Sequence, residues 1–274
     1  MDHFLHSALR FDVLDSGPRD GEAVVLLHGF PQQPSTWDLV TEGLNAAGLR
    51  TLVPTMRGYT ATNRPRPRRA YAPSETTADV VALLDAAGLE RAHLVGHDWG
   101  AGPVWGMGSW YPERAATLTV LSTPHPAAFT RSLRAGGQAL RSWYMAFFQL
   151  PTLPETLVRR TLAWTLAQSG LSADWVERYA IAMSEPGTLT GAINWYRGLP
   201  FTTEPFRRIR VPTTYVWGRH DVALGRHGAE ATEAYVNGPY TFVDLDAGHW
   251  LPELEPEAVT EAILERVTTA RASG

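Results

Sequence analysis

Apolar runs alternate with amphipathic segments through residues 1–125. Continuous apolar runs, such as 23–27, are typical of strands that are buried on both faces of a parallel sheet. The segments between them have a helical period and end at a glycine, which favours helices there. Strands are predicted within 3–15 and at 23–27, 50–53, 92–95 and 117–121, and helices at 35–47 and 74–87, the second capped by Ser74. This alternation predicts a mostly parallel sheet of the α/β class.

The pattern changes between residues 126 and 208, where we find helical segments and no convincing strand. Strand patterns resume at 213–217 and 240–245, and a last helix is predicted at 256–271. We therefore expect a core built from 1–125 and 209–274, with a helical lid inserted at 126–208. Such a lid would cover the carboxyl ends of the strands, where open α/β sheets bind ligands.

Composition narrows the possible functions of the 274-residue chain. Its formal net charge is −4, which does not favour a nucleic-acid partner. There is no cysteine, so disulfides, thiolate metal sites and a cysteine nucleophile are excluded. No apolar stretch is long enough to span a bilayer, and the N-terminus has no signal-peptide pattern. We expect a cytoplasmic protein with no cofactor and no metal, and the pattern leaves monomer and homodimer open.

Residues 96–100, Gly-His-Asp-Trp-Gly, follow an apolar run and precede a helical segment. Glycines two residues before and after Asp98 suit a strand that turns directly into a helix, because the backbones there come nearly into contact. This is the pattern of a nucleophile elbow, in which Asp98 is the nucleophile at the exposed tip of the turn. Taken alone, the motif also fits a Gly-rich turn with a solvated aspartate.

An aspartate nucleophile needs amide donors, and two are predicted. One is the N–H of Trp99, the residue directly after the nucleophile, and the other is the N–H of Phe30 in the loop His28–Pro31 that follows the strand 23–27. These amides and the helix N-terminus are expected to favour the ionised form of Asp98.

A base and an acid should follow the nucleophile in the order acid, then histidine. His249 lies after the last strand in a Gly-His turn and is the predicted base. Asp221 follows the strand 213–217 and is the predicted acid, while Asp244 and Asp246 remain rivals. An alternative acid position after the preceding strand holds Ser122 and Thr123, which cannot serve.

With these residues the chain resembles the α/β-hydrolase superfamily over nearly its whole length. The motifs His28-Gly29-Phe30-Pro31 and Gly96-His97-Asp98-Trp99-Gly100-Ala101 resemble those of its epoxide hydrolase and haloalkane dehalogenase branch. The resemblance implies an eight-stranded sheet and attack by Asp98 on a saturated carbon, giving an ester that water activated by His249 hydrolyses.

Two lid tyrosines separate the two activities of this branch. Residues 192–197 resemble the motif of the second lid tyrosine of epoxide hydrolases at Tyr196, and residues 142–149 are a looser match to the first at Tyr144. The resemblance implies that these phenols donate to the epoxide oxygen, although either tyrosine fits an aromatic packing role, and Tyr179 could replace Tyr144. Phe30, Trp99 and Phe147 are expected to line a pocket for a small apolar substrate.

Two departures from the family pattern bear on the prediction. Dehalogenases of this branch typically have Asn where this chain has Phe30, which favours epoxide hydrolysis. Relatives usually carry an acidic residue at the position of Thr55, so we expect a rearranged loop there. Haloalkane or haloacid dehalogenation, and a non-catalytic ligand-binding role, are the alternatives.

Overall fold

The computed structural model describes residues 1–273, and side chains as far as residue 272. It contains a single eight-stranded sheet in the order β1-β2-β4-β3-β5-β6-β7-β8. The strands are β1 His3–His6, β2 Leu9–Ser16, β3 Ala23–Leu27, β4 Arg50–Pro54, β5 Ala92–His97, β6 Ala115–Leu121, β7 Thr213–Gly218 and β8 Tyr240–Leu245. β1 is an edge strand antiparallel to β2, β2 is also antiparallel to β4, and β3 to β8 are parallel. The predicted eight-stranded, mostly parallel sheet is confirmed.

Twelve α-helices accompany the sheet in the described residues. They are α1 Asp38–Ala46, α2 Pro73–Ala86, α3 Ala101–Trp110, α4 Pro126–Arg134, α5 Gln138–Arg141, α6 Trp143–Phe147, α7 Leu153–Gln168, α8 Ala173–Ser184, α9 Thr188–Gly198, α10 Arg226–Ala231, α11 Leu251–Leu254 and α12 Pro256–Ser273. No helix among residues 1–273 is both long and apolar enough to cross a membrane.

One predicted cap is wrong. Ser74 lies inside α2, which begins at Pro73 after Ala72, and no side chain caps it. Proline is well suited to the first helical position, because its fixed φ fits the helix and its missing N–H would lack a partner there anyway. The start of α2 is therefore set by Pro73 rather than by a serine hydroxyl.

The helices α4 to α9 lie between β6 and β7, which are neighbours in the sheet. Residues 126–208 contain no strand, so the chain leaves the sheet after β6 and returns to pair with the same strand. The central strands β3, β5 and β7 are buried along their whole length, and two apolar clusters cover the two faces of the sheet. This arrangement places the ends of β3, β5, β7 and β8 beneath the inserted helices.

Candidate active site

Asp98 lies at a sharp turn between β5 and the 3-10 turn Asp98–Gly100 that leads into α3. Its φ of +50° is in the left-handed region, which is uncommon for a residue with a Cβ and is a form of backbone strain found at functional sites. A Cβ on Gly96 would lie 2.3 Å from the carbonyl oxygen of Gly100, and one on Gly100 would lie 2.1 Å from that of Leu27. The two glycines are therefore required by the close approach of the backbones.

One oxygen of Asp98 is held by backbone amides. The Phe30 N–H donates to Asp98 Oδ1 at 2.9 Å, and the Trp99 N–H also bonds to this carboxylate. A Cβ on Gly29 would lie 2.5 Å from the Asp98 Cβ, so the loop can approach closely only with glycine at that position. The Tyr59 hydroxyl donates to the Gly29 carbonyl at 2.8 Å and orients the same peptide.

The other oxygen of Asp98 faces a histidine that a second aspartate orients. His249 Nε2 lies 3.7 Å from Asp98 Oδ2, and His249 Nδ1 lies 2.8 Å from Asp221 Oδ2. The N–H groups of Ala223 and Leu224 donate to Asp221 Oδ1 at 2.7 and 2.9 Å. The Asp221 carboxylate is therefore fully engaged, and its hydrogen bond turns the Nε2 edge of His249 toward Asp98.

The rival acids lie elsewhere. Asp244 pairs with Arg219 and Arg226, and Asp246 bonds to His220 at 2.8 Å. At the alternative acid position, the Ser122 hydroxyl donates to the His249 carbonyl at 3.1 Å, and the Thr123 hydroxyl donates to the Asp98 carbonyl at 2.8 Å. Ser122 and Thr123 thus hold the backbones of His249 and Asp98, whose side chains face each other.

Burial and neighbouring charges shift the pKa values of Asp98 and His249 in opposite directions. Burial raises the pKa of Asp98, against the effects of His249 and the two amide donors, so the amides favour ionisation as expected but do not outweigh desolvation. The side chain of Asp98 is 17% exposed, less than the exposed tip that the sequence suggested. Burial also opposes protonation of His249, yet Asp221 and then Asp98 raise its pKa to about 9. The negative charges of Asp221 and Asp98 therefore favour the protonated form of His249.

The two predicted tyrosines lie on the inserted helices above Asp98. Tyr144 is in α6 and Tyr196 is in α9, and their side chains are hydrogen-bonded to each other. The ring of Tyr196 packs edge-on against Trp99, with centroids 4.5 Å apart. Burial, reinforced by the negative charge of Asp98, raises the pKa of both phenols. Both hydroxyls are neutral across the physiological pH range and can donate a proton.

A cavity of about 470 Å³ opens beside these groups and is mainly apolar. Asp98, Trp99, Tyr144 and Tyr196 all line it. Other lining residues come from α4, α6 and the segments that flank β7, among them Phe129, Leu133, Met145, Phe206 and Leu224. The volume is in the range of small-molecule sites.

Two residues that were expected to line the pocket, Phe30 and Phe147, do not form part of the cavity wall. Phe30 is not part of the cavity wall; its ring packs edge-on against Tyr196, with centroids 5.9 Å apart. Phe147 also lies outside the wall, in contact with the rings of Trp143 and Phe148. Tyr144 and Met145 of α6 line the cavity, whereas Phe147 packs against the same apolar cluster without forming part of the wall.

A buried polar network behind the site was not foreseen from the sequence. Glu253 Oε1 accepts hydrogen bonds from Gln32 Nε2 at 2.7 Å, the Thr36 hydroxyl at 2.7 Å and the Tyr179 hydroxyl at 2.6 Å. Glu253 Oε2 is buried and has no partner among the described residues. Burial raises the pKa of this carboxyl group. Tyr179 belongs to α8, so the network joins the inserted helices to the core.

The same network reaches both sides of the candidate site. Gln32 Oε1 accepts from the Gly29 N–H at 2.8 Å and lies 2.8 Å from His97 Nδ1. His97 Nε2 lies 2.8 Å from the His249 carbonyl. In the sequence, only proximity to predicted site residues pointed to this network. Gln32 comes directly after the loop that contains Phe30, and Glu253 comes shortly after His249. Tyr179, the suggested substitute for Tyr144, belongs to this network.

Thr55, which stands where relatives usually carry an acidic residue, is held by its backbone. Its N–H donates to the Asp12 carbonyl of β2 at 2.8 Å. The acidic partner of the neighbouring Arg57 is Asp79 of α2, with Nη2 and Oδ1 2.6 Å apart. An acidic residue of α2 therefore balances the charge of the loop that Thr55 begins.

Comparison with known proteins agrees with this geometry. The family model described as alpha/beta hydrolase fold matches residues 22–256. The AB hydrolase superfamily protein YfhM of Bacillus subtilis is 35% identical over 272 residues, covering 94% of each chain. Epoxide hydrolase A of Mycobacterium tuberculosis is 31% identical over 309 residues, covering 96% of this chain and 95% of that one. The crystal structure of epoxide hydrolase A from Mycobacterium thermoresistibile superimposes with a TM-score of 0.85 at 27% identity, covering 97% of each chain.

The chain therefore belongs to the α/β-hydrolase fold family, and it is a hydrolase. The resemblance to the branch that contains epoxide hydrolases is confirmed by the relatives and the solved structure.

Proposed function

We propose that this protein is an epoxide hydrolase, which converts an epoxide and water into a vicinal diol through an ester on Asp98. The observation that carries the proposal is the placement of the Asp98 carboxylate. One of its oxygens accepts from the Phe30 amide, the Trp99 amide also bonds to the carboxylate, the other oxygen faces His249, and two phenols stand above it. Moderately similar relatives that are named epoxide hydrolases support the same activity.

In the first step, Asp98 Oδ2 attacks a ring carbon of the epoxide, and the bond from that carbon to the ring oxygen breaks. The departing alkoxide is a poor leaving group and takes a proton from Tyr196 or Tyr144. Because both phenols are neutral, they can act as acids without repelling the negative charge of Asp98. The helices 126–208 would serve as a lid that brings these hydroxyls to the side opposite Asp98.

In the second step, water attacks the carbonyl carbon of the ester, and His249 Nε2 takes a proton from that water. The negative charge then develops on Asp98 Oδ1, which the Phe30 N–H already contacts at 2.9 Å. On collapse of this intermediate the bond from the carbonyl carbon to Oδ2 breaks, the departing alkoxide takes the proton from His249, and the diol leaves. The Asp98 carboxyl proton then passes to His249, which restores the carboxylate. Asp221 orients His249 and stabilises the imidazolium.

Ester formation would itself prepare the base. The negative charge of Asp98 helps to raise the pKa of His249 to about 9, so neutralising Asp98 as an ester lowers that pKa. His249 then releases its proton, which restores the phenol that was deprotonated in the first step, and the neutral imidazole becomes a base when the ester needs one. This change links the two steps without any movement of the chain.

The substrate class follows from the cavity. Its walls are mainly apolar, and Asp98 is the one charged residue among those that line it. We propose a small apolar molecule with one epoxide group as the substrate. The reacting groups are all provided by this chain and water.

Isotopic oxygen tests the ester directly. Excess enzyme is mixed with styrene oxide in water labelled with ¹⁸O, and the diol from a single turnover is analysed by mass spectrometry. Because both oxygens of the first diol come from the epoxide and from Asp98, we expect no label in it, and label in Asp98 afterwards. A labelled diol in the first turnover would mean that water attacks the epoxide directly.

A parallel assay with a short haloalkane addresses the dehalogenase alternative. Release of halide by the parent, with epoxides left intact, would replace the proposal. Binding without turnover of either compound would favour the ligand-binding alternative. The variant Asp98→Ala is the control, and it should lose diol formation while keeping its fold.

A further inference from the structure

A second cavity, which we call the basal cavity, lies at the opposite end of the sheet from Asp98. It has a volume of about 870 Å³ and is lined by the segments that precede or begin β3, β5, β6, β7 and β8, together with the end of α12. Asp98 follows the carboxyl end of β5, whereas Arg91 precedes its first residue. The two sites are thus separated by the length of a strand, and no step proposed above involves the basal cavity.

The basal cavity is strongly positive in a chain of negative net charge. Four arginines line it, Arg91, Arg210, Arg266 and Arg271, with Glu22 as the one lining carboxylate. Glu22 is already engaged, at 2.9 Å from Arg271 Nε and 2.8 Å from His93 Nε2. The other three arginines form no ion pair among the described residues, although the whole chain has a formal charge of −4. Glu265 is the one carboxylate that favours the charge of Arg266, and it does so without direct contact.

Arg266 is the most unusual of them because it is only 5% exposed. Its Nε donates to the Thr214 hydroxyl at 2.8 Å, and its Nη2 donates to the Thr241 hydroxyl at 2.6 Å. Among the described residues it forms no ion pair, and burial lowers its pKa. A buried guanidinium is normally paired with an acid, since hydroxyls replace its hydration but not a counter-charge.

The sheet holds this guanidinium in a fixed orientation. Thr214 of β7 and Thr241 of β8 are direct partners in the parallel ladder, so their hydroxyls stand side by side. Two of the three nitrogens of Arg266 are used by these threonines, and Nη1 donates to no described residue. A planar guanidinium that is held in place and still has unused N–H donors is suited to bind a phosphate group.

Arg91 and Arg210 can reach the same ligand. They precede β5 and β7, which are separated only by β6, and adjacent strands lie ~4.8 Å apart. Both side chains are exposed, and neither forms an ion pair within the described part of the chain. The rest of the wall includes Leu89, Val211 and Pro239, which offer apolar surface to the remainder of a ligand.

We propose that the basal cavity is a binding site for an organic diphosphate, held by Arg266, Arg91 and Arg210. The ligand would supply the counter-charge that Arg266 lacks. Its organic part would lie on the apolar wall.

Calorimetric titration of the full-length protein tests this with three probes: adenosine diphosphate, inorganic pyrophosphate and citrate. We expect both phosphate compounds to bind with Kd below ~1 mM, adenosine diphosphate at least as tightly as pyrophosphate, and citrate more weakly. Thermal unfolding should shift upward with the same two compounds, because they bind only the folded chain.

Variants locate the site. Arg266→Met should raise both Kd values by at least ~10-fold, the scale of one charged hydrogen bond. The double variant Arg91→Met with Arg210→Met changes only exposed side chains and keeps the test valid if Arg266→Met folds poorly. The matched control is Arg160→Met, an exposed arginine of α7 that removes the same charge and should bind as the parent does.

Several results would overturn the proposal. They are failure of the parent to bind either phosphate compound, equal binding by the parent and the site variants, or citrate binding as tightly as pyrophosphate. Binding of pyrophosphate without adenosine diphosphate would overturn the assignment of an organic ligand. All readouts are independent of turnover, so they stand whether or not the protein hydrolyses epoxides.

Discussion

The proposed coupling between Asp98 and His249 can be measured as a change in a pKa. The perturbation is Asp98→Ala, which removes the negative charge as ester formation would. The pKa of His249 is raised from 6.5 to about 9, despite a burial cost that opposes protonation. At ~1.4 kcal/mol per pKa unit, this elevation is worth about 3 kcal/mol after the burial cost.

The distances divide this energy between the two carboxylates. Asp221 lies 2.8 Å from Nδ1 and is hydrogen-bonded, whereas Asp98 lies 3.7 Å from Nε2. Since Coulomb energy falls as 1/r and the hydrogen bond adds to the share of Asp221, we assign the smaller part to Asp98, on the order of 1 kcal/mol. Removal of a stabilising anion lowers the pKa of a cation, so the pKa of His249 should fall to ~8 or below in Asp98→Ala.

The assay is a proton NMR titration of the imidazole, with His249→Gln to assign the signal. The matched control is Asp246→Ala, which removes an exposed carboxylate that bonds to His220 and should leave the pKa of His249 unchanged. A pKa of His249 that stays at about 9 in Asp98→Ala would refute the coupling. A pKa that rises would show that the sign of the reasoning is wrong.

Three further predictions concern the hydrolysis of the ester, the acid that opens the epoxide, and the stability of the fold at low pH. In His249→Gln, epoxide should still alkylate Asp98 while the ester persists, which intact-protein mass spectrometry detects as one added substrate mass; an unmodified protein would contradict this. Tyr196→Phe should slow epoxide opening by ~10²-fold in stopped-flow measurements, the usual scale for one general acid, and an unchanged rate would exclude its role. The hydrogen bond from Arg50 lowers the pKa of Asp15 to about 2, so the stabilisation is present above pH ~4 and lost as pH falls toward 2. Asp15→Asn should therefore reduce the free energy of unfolding by roughly 2 kcal/mol at pH 7 and remove much of this acid dependence, as urea titrations can show.

The elbow is the part of the site that local sequence determined. Gly96 and Gly100 were explained by close backbone approach, and in the structure a Cβ at either position would collide with a carbonyl oxygen. The constraint on Gly96 could be predicted because Gly100 follows it closely in the chain, whereas the approach of Gly100 to Leu27 arises from the pairing of β3 with β5. The strands could also be predicted from the sequence, because a strand that is buried on both faces is a continuous apolar run, as in β3.

The positions of Asp221 and His249 could be predicted only as candidates. Asp244 and Asp246 had comparable positions in the chain, and the choice depended on which carboxylate reaches His249 Nδ1. That distance, 2.8 Å for Asp221, follows from where the loop after β7 ends beside the loop after β8. Sequence order cannot give such a distance, because the two loops meet only when the strands pair.

The remaining features were decided by tertiary structure alone. Glu253 meets Gln32 and Tyr179 from three distant segments, and Arg266 meets two threonines that become neighbours only when β7 and β8 pair. Phe147 is aromatic, as a pocket residue can be, but its ring contacts Trp143 and Phe148 and is not part of the cavity wall. Local pattern thus determined the backbone turns and the alternation of elements, whereas contacts between distant segments determined which polar groups lost water and gained partners.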